Sequence, residues 1–194
     1  MSTTAEATYL GLDLETTGID ETTGLILELG MIAYDSQLNP LASFHSLVNA
    51  DTYAAARANG RVSEFVEQMH TDNGLWHDLA TVDNPADTTP ATVEAAALAW
   101  IENNGLERLP MLGSSMTLDR SFLAVHMPRL LAAFHYRSVD ATSLCLVAQH
   151  TVGFKPADYL PDGSTEVSEH RVLADVQRSA DLVKAFLAGV RATN

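Results

Sequence analysis

Tyr9-Leu-Gly-Leu-Asp-Leu-Glu-Thr-Thr-Gly18 is the stretch on which the reading of this chain turns. Leu10, Leu12 and Leu14 alternate with Gly11, Asp13 and Glu15, the period-2 pattern of a β-strand, which puts both acids on one face about 6.5–7 Å apart. Thr16, Thr17 and Gly18 carry turn chemistry at the strand's end. Two carboxylates aimed at one spot repel and raise each other's pKa unless a cation lies between them, and hard oxygen donors suit magnesium or manganese. An Asp-x-Glu triplet is common by composition alone. It gains meaning only if further acids and a proton carrier stand at the ends of other elements.

The rest of the chain supplies a setting for that strand. Leu25 to Tyr34 is nearly continuously apolar around Glu28, as in a strand buried on both faces. Gln37–Pro40 predicts a hairpin and Ala42 to Val48 a third strand, which together make an antiparallel meander. Thr52 to Met69 reads as one helix, with His70 to Leu75 as a loop after it. Thr89 and Pro90 fit the cap and first position of a helix running to Asn103. A short strand over Pro110–Ser115 precedes a helix from Leu118 to Phe134 that Met127-Pro128 interrupts. A fifth strand at His135–Asp140, a helix at Ala141–His150, an irregular stretch at 153–168 and a helix from Arg171 to Ala188 complete the order. That order is an α/β layer with a mixed sheet, whose strand ends carry function. The expected organisation is one domain over residues 1–194, with 1–8 as a flexible N-terminus.

Composition narrows the functional classes. The formal charge is −14, from 25 acidic and 11 basic residues, and only Arg57 and Arg61 precede Arg108. Long nucleic acid is gripped through many Lys and Arg contacts to phosphate, so an extended strand is a poor partner for this surface. A short phosphodiester held by metals and one or two arginines remains compatible. No secretory signal and no apolar run of membrane-spanning length is visible, and Cys145 is alone. The expectation is a soluble, cytoplasmic protein without a membrane partner.

Two more acids stand where such a site needs them. Asp119 opens a helix after a strand, and Asp175 lies in the first turns of the last helix, five residues after His170. With Asp13 and Glu15, these segments follow the order and spacing of the DEDDh 3′–5′ exonucleases. His70-Thr-x-x-Gly-Leu75, Gly113-Ser-Ser-x-x-x-Asp-Arg-x-Phe-Leu123, Met127-Pro-Arg-Leu130 and Phe134-His-Tyr-Arg-x-x-Asp140 narrow the likeness. From Tyr9 to Phe186 the chain resembles the oligoribonuclease family. The resemblance implies an RNase H-like fold with a central five-stranded mixed sheet flanked by helices, and a 3′–5′ exoribonuclease that degrades dinucleotides and other short RNAs.

It also implies roles. Asp13, Glu15, Asp119 and Asp175 would hold two divalent ions, Mg2+ or Mn2+, and His170 would be the general base. Ile19 and Phe65 would wedge and stack the bases, where the family commonly has Leu and Trp. His70 falls within a substrate-binding motif. Ser115 and Arg137, joined by Thr142 or Ser143, would cap the 5′-phosphate. Tyr136 would reach the site across a two-fold homodimer. Two alternatives stand beside this reading: a proofreading-type exonuclease on longer single-stranded DNA or RNA, and a non-catalytic protein that binds short nucleotides.

Overall fold

Strand β1 (Tyr9–Thr16) is the centre of a five-stranded sheet of order β3-β2-β1-β4-β5 in the computed structural model, which describes residues 6–165 and 168–192. β2 (Ile26–Tyr34) pairs antiparallel with β1, and β3 (Pro40–Leu47) antiparallel with β2. Short turns suffice for those connections. β4 (Met111–Gly113) and β5 (Ser138–Asp140) join in parallel, each after the helical excursion that parallel pairing demands. Both are shorter than the sequence pattern suggests. All nine residues of β2 are buried, while β3, at the sheet edge, keeps one wet face. Of the expected flexible N-terminus, residues 1–5 lie outside the described residues. Thr8 is already tied in, its N–H donating to the Tyr34 carbonyl at 2.7 Å.

The alternation in β1 divides the molecule. Leu10, Leu12 and Leu14 pack into one core with α4 (Pro90–Asn103), α5 (Thr117–His126) and α6 (Pro128–Ala133). On the other face a second core joins Ile32, Tyr34 and Leu112 to α7 (Ala141–Val152) and α8 (Val172–Ala192). Gly11 and Gly30 let α8 lie close against this face. A Cβ at Gly11 would meet Val176 Cγ1 at 2.5 Å, and one at Gly30 would meet Val172 Cγ2 at 2.6 Å. Val172 and Val176 are one helical turn apart, so the two hollows set the register of α8 on the sheet.

Several helices differ from expectation or sharpen it. The periodicity across 52–69 is divided between α1 (Tyr53–Ala58) and α2 (Glu64–Asp72). Gly60, at φ +68°, lies between them, and Ser63 caps α2 by accepting the Val66 N–H. α2 continues through His70, Thr71 and Asp72, which are helix rather than loop, and Asn73 and Gly74 turn the chain into α3 (Leu75–Ala80). The break at Met127-Pro128 holds, because Pro128 starts α6. The 153–168 stretch contains a 3-10 turn at Pro156–Asp158, and Ser164 Oγ ties it to Asp181 on α8 at 2.7 Å. Among the described residues no helix is long and apolar enough to cross a membrane.

Candidate active site

The acids meet at the C-terminal end of β1. Asp13 and Glu15 alternate with the core leucines and so face α8. Asp175 lies in the first turn of that helix, between the two valines that seat on the glycine hollows. Its Oδ2 accepts from the Arg171 N–H at 3.2 Å and Ser168 Oγ at 2.8 Å, and its Oδ1 from Arg178 Nε at 3.2 Å. Asp119 arrives from the first turn of α5 for a different reason. The pairing of β1 with β4 ends early, which leaves the Leu14 N–H without a sheet partner. Asp119 Oδ1 accepts it at 3.0 Å, which pins the carboxylate beside the residue between Asp13 and Glu15. His170 precedes α8 in a left-handed conformation, φ +52°. A ring nitrogen of His170 and carboxylate oxygens of Glu15 and Asp175 all lie within 4.8 Å of one another.

Burial first, and then crowding, governs the electrostatics. Burial, then Asp119, Glu15 and Asp175, push the Asp13 carboxyl well above the usual range, against the opposing pull of Arg178. Glu15 is pushed up to about 8 by burial and then by Asp175, Glu28 and Asp119. Asp119 is raised to about 7, mainly by burial. Such a cluster is poised to bind positive charge. Carboxylate oxygens with one imidazole are the donors a hard or borderline divalent cation takes. The residues fit a metal centre.

A cleft of about 760 Å³ opens over this cluster. Ile19 and Phe65, 84% and 71% exposed, stand on its wall as apolar groups with little else to cover them. Ser115 and Thr142 line it too, the Ser115 hydroxyl donating to Thr142 Oγ1 at 3.2 Å. Ser115 also has positive φ, +54°.

Four expected site residues do not line the cleft. His70 is fully buried rather than on the cleft surface, its Nε2 3.2 Å from the Thr16 carbonyl oxygen and its ring edge-on to Trp76. Its position in the last turn of α2 turns it inward, where Nε2 also lies 3.9 Å from Glu15 Oε2, so it packs against the end of β1 beneath the acids. Tyr136 and Arg137 are exposed on the turn before β5, the guanidinium 5.4 Å from the phenol ring, outside the cleft of their own chain. Ser143 is exposed in the first turn of α7, where its N–H donates to Asp140 at 2.9 Å. Sequence reasoning missed Arg178. Its place three residues after Asp175 on one helix was the available signal.

No family model matches the chain. Similar proteins are the oligoribonuclease of Alkalilimnicola ehrlichii, 32% identical over 95% of this chain and 90% of that protein, and the oligoribonuclease of Streptomyces avermitilis, 33% identical over 87% and 79%. The chain belongs to the oligoribonuclease family. Solved structures place the family member among exonuclease folds. The RNase domain of yeast Pop2 superposes with a TM-score of 0.59 at 12% identity, covering 96% of this chain and 78% of that one. A zinc-bound complex of E. coli exonuclease I with single-stranded DNA gives 0.57 at 16%, and this chain, 97% covered, spans 42% of it. The oligoribonuclease relatives thus share nearly the whole length, and the α/β architecture is the RNase H-like fold shared with exonuclease I and the Pop2 RNase domain.

Proposed function

We propose that this chain is a metal-dependent 3′–5′ exoribonuclease, one domain long, that cuts short oligoribonucleotides, dinucleotides above all, to nucleoside 5′-monophosphates. One observation carries the reading: Asp13, Glu15, Asp119, Asp175 and His170, from three distant segments, converge at one strand end beneath an open cleft. The four acids would hold Mg2+ or Mn2+. Bound there, such ions supply charge neutralisation and a water of lowered pKa. His170 takes the proton of the attacking water, the work suited to an imidazole. The water oxygen bonds to phosphorus, the P–O3′ bond breaks, and the leaving oxygen acquires a proton. Ile19 and Phe65 hold the bases by apolar contact and stacking.

Ser115 and Thr142 supply hydroxyl donors for a terminal phosphate. A homodimer completes that end, because Tyr136 and Arg137 project from their own chain and suit a neighbour's cleft. Among the described residues, the arginines and lysines lining the cleft are Arg61 and Arg178, too few for a track along a longer strand. This favours short substrates over the proofreading alternative. A cytoplasmic setting suits a chain with one cysteine, Cys145, which is buried.

The test is digestion of 5′-labelled RNAs of two, five and twenty nucleotides in magnesium. The dinucleotide is expected to be cut fastest; equal rates at all lengths overturn the end-capped cleft. Asp13→Asn is expected to abolish hydrolysis while dinucleotide binding persists. Binding without hydrolysis in the parent chain points instead to a nucleotide sensor.

A further inference from the structure

His170 has a Cβ and yet sits at φ +52°, a conformation that survives only where the surroundings impose it. Contacts from three elements do so. The Asn73 side-chain amide, at the end of α2, donates to the His170 carbonyl oxygen at 2.5 Å. Asn73 Oδ1 is fixed in turn by the Leu75 N–H at 3.0 Å. Next in the chain, Arg171 forks onto the Glu28 carboxylate of β2, with Nη2 at 2.9 Å and Nε at 3.2 Å. Its Nη2 also lies 2.8 Å from Asp78 of α3, and its Nη1 donates to the Asn73 carbonyl at 3.3 Å. Glu28 is 1% exposed, so this anchor is sunk in the sheet. On the other flank, Ser168 Oγ accepts the His170 N–H at 3.1 Å.

We propose that Asn73 and the Arg171–Glu28 pair are positioning residues for His170. They hold its backbone in the left-handed turn that brings the imidazole to Glu15 and Asp175. Neither touches the reacting atoms. Orientation of a proton acceptor is worth large factors in rate, and a residue that acts only through His170 leaves substrate binding almost alone. The inference rests on the reading of His170 as the base.

Asn73→Asp keeps the size of the side chain and its acceptor for Leu75, and removes the donor to His170. Its kcat on a dinucleotide is expected to fall about tenfold with KM within about twofold. In a His170→Ala background the same change is expected to cost less than about twofold, because the group it positions is gone. Losses that multiply in both backgrounds, or an unchanged kcat, overturn the proposal. Arg171→Lys, which keeps the charge and gives up the fork, is expected to repeat the pattern and serves if Asn73→Asp does not fold. A second readout needs no turnover. The ring 13Cε1–1H resonance that disappears in His170→Ala is that of His170, and in Asn73→Asp it is expected to move toward the position of a freely rotating histidine. An unmoved resonance overturns the proposal. A parent chain that binds dinucleotides without cutting them removes the function proposed above and leaves the positioning of His170 to the spectrum.

Discussion

Asp13, Glu15 and Asp119 each hold a proton more tightly in the folded chain than in the unfolded one. A carboxyl whose folded pKa is raised contributes its full stability below the unfolded value and loses it as pH rises through the folded value. For Asp119 that interval runs from 3.8 to about 7, and for Glu15 from 4.5 to about 8. The metal-free chain is therefore expected to melt at falling temperature as pH rises from about 4 to 8. Added Mg2+ or Mn2+ should return more of that loss at pH 8 than at pH 5, since the ionised cluster is the form that binds. Thermal melts with chelator and with metal check both; a metal effect independent of pH contradicts them. Glu28 works in the opposite sense. Burial raises its pKa, but hydrogen bonds from His45 and Arg171 outweigh burial and leave it lowered. Its contribution is present above the unfolded value of 4.5 and is lost in acid.

The elements bring these groups into register, and α8 is the most demanding of them. At Gly30 a new Cβ would lie 2.7 Å from Val172 Cβ and 3.1 Å from the Val172 carbonyl carbon. A change of rotamer relieves neither contact, so the N-terminus of α8 must lift, and Asp175 goes with it. Gly30→Ala is expected to destabilise the fold by about 1–3 kcal/mol. It should also lower hydrolysis beyond what the unfolded fraction explains. Gly18 offers the control, because a Cβ there meets nothing within 4 Å; Gly18→Ala should change stability by less than about 0.5 kcal/mol. Denaturant melts paired with dinucleotide hydrolysis separate the two effects. Equal behaviour of the two variants would remove the role given to the hollow.

For the molecule as a whole, one chain's cleft is lined by acids, the apolar Ile19 and Phe65 and hydroxyls, while the exposed Tyr136 and Arg137 lie outside it. Supply of the partner's Tyr136 to each site predicts complementation. Tyr136→Ala and Asp13→Asn should each be nearly inactive alone. After mixing and subunit exchange, half the dimers are mixed and each carries one intact site, so about a quarter of parental activity should return. Activity counted against oligomer mass checks this, and a mixture no better than its components excludes a shared site.

Local chemistry was decided by neighbours in the chain and could be read from them. The leucines of β1 alternate, Thr89 and Pro90 start α4, and Pro128 interrupts a helix, because each is an interaction within about four residues. The same locality misled at 52–69, where apolar spacing runs on through a backbone that Gly60 has already turned aside. The acids and His170 were visible as residues standing near element ends. Their convergence belongs to the tertiary structure: Asp119 is drawn in by an N–H that β4 leaves unpaired, and Asp175 by a helix resting on two glycines. His70 and His170 make the distinction plainest. Both are histidines next to helix ends, and one is fully buried beside Glu15 at the strand end while the other reaches Glu15 and Asp175 from the cleft. Thr16, Trp76, Asn73 and Glu28 decide between those fates. Some of them stand more than fifty positions away, beyond the reach of any local pattern.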